Sequence, residues 1–85
     1  MPRYFIDTDD GDTLSLDEEG EEFDNLRHAR DVAIASLPAL ADEKLPDGEN
    51  RIFRAIVSDE TRVTQYVATL TYRGEWKVPP PDDDV

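Results

Sequence analysis

Apolar residues recur along this chain in two rhythms. From Asp24 to Leu45 the period is helical: Leu26, Ala29, Ala33, Leu37 and Leu40 fall within one arc at about 3.6 residues per turn, with Ile34 and Ala41 on one shoulder and Val32 on the other. His28, Asp31, Asp42 and Glu43 lie opposite, so the stripe faces a core and the far side meets water. On either side of this segment the runs are short and β-like. Arg3 to Thr8 and Thr13 to Leu16 precede the helix; Arg51 to Asp59 and Val63 to Tyr72 follow it. The order ββαββ predicts an α+β domain, a four-stranded antiparallel sheet with one long helix packed on one face.

The turns give the strands their expected partners. Asp10-Gly11 between the first two runs is a hairpin signal that fits two registers. A two-residue loop at Asp10-Gly11 puts Phe5 opposite Leu16. A three-residue loop with Gly11 in a left-handed bulge puts Ile6 opposite Leu14 and Tyr4 opposite Leu16, and it is preferred because Tyr4 and Ile6 then share a face without a charge. In the second hairpin, a loop at Asp59 to Arg62 pairs Phe53 with Ala68, Ala55 with Tyr66 and Val57 with Thr64, and Leu70 continues that face. Which hairpin edges meet in the middle of the sheet is left open.

Between the second run and the helix, Asp17 to Glu22 is too charged for a core. Gly20 is expected to take a positive φ, Phe23 to anchor the helix entry, and Asp24 or Asn25 to cap it. Pro38 removes a backbone donor inside the helix and predicts a kink there, or a break into two helices near Ser36. Pro46-Asp47-Gly48 ends the helix and turns the chain. Residues 1–76 read as a single domain in which Trp76 covers a core edge, and residues 77–85 as a disordered Pro/Asp-rich tail.

Composition narrows the function. The chain of 85 residues carries 21 acidic against 9 basic side chains, a formal net charge of −12. That charge opposes binding to nucleic acid and to anionic membranes, and it admits a basic protein or divalent cations. There is no cysteine and one histidine, which excludes disulfides, a thiol nucleophile and thiolate zinc sites. No signal peptide or membrane span is visible, so a cytoplasmic location is expected. No sequence motif implies a cofactor.

Candidate chemistry is sparse. Asp7, Asp9, Asp10 and Asp12 alternate in a way that could wrap a hard cation, and Glu18 falls where an EF-hand loop starting at Asp7 would end. However, Asp12 stands where that loop requires glycine, so turn formation is the better account of these carboxylates and no metal ligand is assigned. His28 has Asp24 and Asp31 one turn away, with no motif linking it to Ser15, Ser36 or Ser58. No catalytic residue is assigned, and the chain reads as a non-enzyme. The terminal Asp83-Asp84-Val85 has the form of a carboxylate-ending peptide ligand, a form shared by any apolar C-terminus.

Several segments together resemble a known family. Pro2-Arg3-Tyr4-Phe5, Asp10-Gly11-Asp12, Asp17 with Glu19-Gly20, and Leu45-Pro46-Asp47-Gly48 are the most specific, and the likeness runs from residue 1 to about 76. The family is one of small uncharacterised proteins, a domain of unknown function common in rhizobia and related alphaproteobacteria. Its members usually carry a glycine in the last hairpin turn, where this chain has Glu60-Thr61-Arg62. The resemblance implies a bacterial, cytoplasmic protein and carries no activity onto any residue.

Strict alternation sends Phe5, Ile52, Ile56 and Val67 to the sheet face that one helix cannot cover. With Thr69 and Thr71 they form an apolar strip framed by Arg3, Arg54 and Gln65, an interaction face for an unknown protein partner or a weak homodimer. The alternative is an acidic ligand, either a nucleic-acid mimic for a basic protein or a weak divalent-cation binder.

Overall fold

The computed structural model describes residues 1–45 and 50–81. Strands β1 (Arg3–Asp9), β2 (Leu14–Ser15) and β3 (Glu21–Glu22) precede helix α1 (Leu26–Lys44), and β4 (Asn50–Ser58) and β5 (Thr64–Arg73) follow it. The sheet is antiparallel in the order β2-β1-β4-β5, with β3 also paired to β1. The α+β architecture expected from the hydrophobic pattern is therefore present, with one further short strand. The two hairpins meet through β1 and β4, where Ile6 lies opposite Val57 and Thr8 opposite Ala55.

β2 and β3 behave as one interrupted edge strand. The Ile6 N–H points to this edge, where it meets the Asp17 carboxylate, and so does the carbonyl of Pro2, which accepts from Phe23 N at 3.0 Å. β2 pairs Thr8 with Ser15 and β3 pairs Tyr4 with Glu21, a register offset that leaves room for the excursion through Asp17 and Gly20. Gly20 has φ +72°, and a Cβ there would stand 3.0 Å from both the Phe5 ring and the Tyr4 carbonyl oxygen. A side chain at this position has neither the backbone conformation nor the space.

Asn25 caps α1, its side-chain oxygen accepting from His28 N at 2.8 Å. The helix runs unbroken through Pro38, so the alternative of two shorter helices is not adopted. Its buried residues are Ala29, Ala33, Leu37 and Ala41, set on Phe53, Ala55, Val57 and Ala68 of the sheet, with Phe23 closing one end. Alanines on both layers let the backbones approach, and Phe53 and Val57, fully buried, supply the bulk. Tyr4, Ile6, Leu26, Leu40 and Leu45 line the margin.

Both hairpin registers differ from the sequence-based expectation. In the first, Asp9 faces Leu14 and the two-residue turn is Gly11-Asp12, closed by Asp10 N donating to Thr13 O at 3.2 Å. The cause is the Asp10 carboxylate, which accepts from Asp12 N at 2.9 Å and Thr13 N at 2.8 Å and so moves the tip by one residue. Leu14 then shares the face of Asp9, away from the helix, and Leu14 and Leu16 are exposed rather than set against Tyr4 and Ile6. In the second hairpin Phe53 pairs with Leu70, Ala55 with Ala68 and Val57 with Tyr66, a shift of two residues that a bulge at Val57/Ser58 absorbs.

Outside the core, Ile34 is exposed on its shoulder of α1, whereas Ala41 is buried. Trp76 is also exposed and covers no core edge. The expected turn at Pro46-Asp47-Gly48 and the last residues of the tail lie outside the described residues.

Candidate interaction surface

The sheet face opposite α1 carries Phe5, Asp7 and Asp9 from β1, Ile52, Arg54 and Ile56 from β4, and Val67, Thr69 and Thr71 from β5. Ile56 is half-buried beside Val67, its cross-strand partner, and Ile52 (40% exposed) stands opposite Thr71. Val67 is 46% exposed. Two features interrupt this strip. Arg54 rises between Ile52 and Ile56 and reaches Asp9 at 3.7 Å, and the Arg62 guanidinium lies 3.9 Å above the centre of the Phe5 ring. Phe5 is thus covered by its own chain, and Ile52, Ile56 and Val67 are what this face presents.

The open surface continues around the edge of the sheet. β5 pairs with β4 on one side, and its other side carries no strand among the described residues. On the helix side, Tyr66 and Leu70 lie under no helix residue that covers them fully, and both remain more than a third exposed. They form an open groove of about 400 Å³ with Ile34, Leu37 and Pro38 of α1 and with Val67, Ala68 and Thr69 of β5. No residue from 63 to 72 or from 32 to 41 is charged, although the whole chain bears −12. Arg27 and Arg30 line a separate depression with Leu26 and Gln65, which shares Tyr66 with the groove.

The carboxylates are concentrated at the other edge and in the loops, and several of them hold backbone. Asp7 accepts from Asp17 N at 2.8 Å and meets Arg62 at 3.4 Å. Asp9 accepts from Gly11 N at 2.9 Å. Asp10 lies under Lys44 at 3.4 Å, while Arg51, almost wholly buried, donates to the Asp10 carbonyl at 2.8 Å and pairs with Asp12 at 2.6 Å. The N–H groups of Asp12 and Thr13, helped by Lys44, hold the Asp10 carboxyl at about 2, below its ordinary 3.8. Asp59 is lowered as well, first by Val63 N and then by the Thr61 hydroxyl and N–H. Among the described residues no group of three or more Asp, Glu or His side chains converges as a metal site would.

His28 sits on the exposed side of α1 with its ring edge-on to Phe23, centroids 5.5 Å apart. The other open depression of note, about 350 Å³, is lined by Asp9, Gly11, Asp12, Asn50, Arg51, Ile52 and Arg54, whose charged groups are already paired across it.

A family model described as Domain of unknown function (DUF6894) matches the chain over residues 3–71. The chain belongs to this family. No curated protein and no solved structure matches it significantly. The matched span takes in every strand except the last residues of β5 and includes the Asp17–Gly20 excursion.

Sequence reasoning missed two devices. One is β3 with Asp17, whose signal is the Asp-x-x-Gly spacing of a side chain that caps its own turn. The other is Arg62, which takes φ +67° in the turn between β4 and β5. The charge-free run from residue 63 to 72 was legible as a strand, but its place at the edge depends on a strand order that the sequence leaves open.

Proposed function

We propose that this is a bacterial, cytoplasmic and non-enzymatic protein-interaction module that binds another protein, or a second copy of itself, through the sheet surface α1 leaves uncovered. The observation that carries this reading is the distribution of charge. Ile52, Ile56, Val67, Tyr66 and Leu70 form a partly apolar surface on a chain of net charge −12; the charged groups beside them are paired, Arg54 with Asp9 and Arg62 with Asp7, and acidic side chains gather at the β2/β3 edge and in the loops. Surfaces of that kind on small domains mark interaction sites. The non-enzymatic reading is supported by His28, which packs on Phe23 at the exposed side of the helix instead of facing a pocket with a nucleophile. Among the described residues no helix is long and apolar enough to cross a membrane, and a cysteine-free acidic chain suits a reducing cytoplasm.

The test is the native mass of the protein recovered from its own cells, with sedimentation of the purified chain at several concentrations and salt levels. An assembly heavier than 9.7 kDa is expected. At least one of two substitutions should dissociate it, Ile56→Lys on the outer face of β4 or Thr69→Asp on β5, and it should survive Glu18→Lys on the acidic side. A 9.7 kDa monomer at high concentration and high salt, with no stoichiometric companion in the native sample, overturns the reading.

A further inference from the structure

We propose that β5 pairs antiparallel with β5 of a second copy about a two-fold axis at Ala68, which joins the two sheets into one. The inference rests on the interaction-module reading above and names its partner. Four observations carry it.

First, β5 is an unprotected edge. From Thr64 to Arg73 it has no proline and no charge before Arg73, and the bulge at its start leaves the rest of the ladder regular. Edges of monomeric proteins are ordinarily short, charged or bent. The other edge of this sheet follows that rule: β2 and β3 are two residues each, split by the Asp17 excursion and ringed by Glu18, Glu19, Glu21 and Glu22.

Second, the strand complements itself. About Ala68, Tyr66 faces Leu70 twice on the helix side and Val67 faces Thr69 twice on the outer side, with the small alanine facing its own copy on the axis. Thr64 then faces Tyr72 and Gln65 faces Thr71, so no like charges are opposed.

Third, the groove has the right size. α1 packs chiefly over β4, so pairing β5 with its copy sets the two helices roughly 14 Å apart, three strand spacings, wider than the 8–10 Å of direct helix packing. Ile34, Tyr66 and Leu70 of both copies project into that gap and fill it.

Fourth, charge permits it. The axis reverses one helix against the other, so Arg27 near the start of one lies on the side of Asp42 near the end of the other, while Arg30 stays paired with its own Asp31 at 2.7 Å. The acidic β2/β3 edges point away from the junction, where repulsion between copies is weakest.

The test uses the full chain. Sedimentation should show a concentration-dependent dimer, strengthened by salt because the net charge repels. Thr69→Asp adds a carboxylate beside the axis in each copy and should weaken association at least tenfold with an unchanged melting curve. Ile56→Lys, on the outer face of β4, should change it less than twofold. The register is read separately, since the chain has no native cysteine. A mixture of Val67→Cys and Thr69→Cys chains should form a disulfide-linked heterodimer on mild oxidation, whereas either variant alone should not, because like positions lie beyond the roughly 7 Å Cα limit for bridging.

A dimer dissolved by Ile56→Lys and untouched by Thr69→Asp overturns the β5 inference and leaves the interaction-module reading standing. So does a monomer that holds a different stoichiometric partner. Cross-linking of Thr69→Cys with itself overturns the Ala68 axis. A monomer with no partner under any condition overturns both readings.

Discussion

The Asp17 carboxylate accepts the backbone N–H of Ile6 at 3.1 Å, in the place where an unbroken edge strand would offer a carbonyl. Its second oxygen accepts from Gly20 N at 3.0 Å, and its own N–H donates to Asp7 at 2.8 Å. One side chain thus closes the gap between β2 and β3 and fixes the turn that carries the chain from one to the other.

Asp17→Ala should therefore destabilise the domain by about 1–3 kcal/mol, since it leaves the part-buried Ile6 N–H without an acceptor. Asp17→Asn, which keeps one carbonyl oxygen, should cost less. Hydrogen exchange checks the mechanism: the Ile6 and Gly20 amides should lose protection in the alanine variant while those at the β4/β5 pairing keep theirs.

Arg62 combines a strained backbone with useful contacts. At φ +67° it occupies a conformation that costs an ordinary residue about 1–2 kcal/mol, yet its side chain covers Phe5 and donates to Asp17 O at 2.7 Å. Arg62→Ala keeps the strain and loses the contacts, whereas Arg62→Gly loses the contacts and relieves the strain. Glycine should be the more stable of the two by about 1 kcal/mol in urea titrations. Because the Arg62 side chain is two-fifths exposed, its ion pair with Asp7 adds little to either difference.

These two residues also show where the sequence was readable. Which residues face the helix was legible from alternation, and Tyr4, Ile6, Phe53, Ala55, Val57 and Ala68 lie where the pattern puts them. Alternation has a period of two, so the two-residue slip in the β4/β5 register left the faces intact. Leu14 lost its face because the first hairpin differs from the preferred register by an odd number of residues. Side chains at the tips decided the registers: Asp10 in one turn, and Asp59 with Arg62 in the other. Such bonds depend on loop conformation, and hydrophobic pattern carries no trace of them. The outer-face residues Ile52, Ile56 and Val67 were legible in the same way as the core, but the arginines over Phe5 and between the isoleucines were not.

The lowered Asp10 carboxyl sets an acid limit. Its folded value, about 2, lies below its ordinary 3.8, so it stabilises the fold above about pH 4, and that contribution is lost as pH falls towards 2. Asp59 is shifted in the same direction and adds to the same loss. Urea midpoints should fall between pH 5 and 2 in the wild type and fall less steeply in Asp10→Asn, which should be the less stable protein at pH 7.

Leu37 and Ile34, one turn apart on α1, separate folding from association. Leu37 is 5% exposed and sits on the sheet, so Leu37→Ala should cost about 2–5 kcal/mol through lost burial and the cavity it leaves. In a domain this small that is a large share of the total, and the variant should be substantially unfolded near physiological temperature. Ile34 is 42% exposed and looks into the groove beside β5, so truncating it removes little buried surface from the monomer. Ile34→Ala should shift stability by less than about 1 kcal/mol. If the groove is filled by the second copy, the same substitution should raise the dimer dissociation constant severalfold, because Ile34 is then buried only on assembly. Melting curves at low concentration read the first effect, and sedimentation at high concentration reads the second. Equal losses of stability in the two variants would place Ile34 in the monomer core, and a dissociation constant unchanged by Ile34→Ala would leave the groove empty in the dimer.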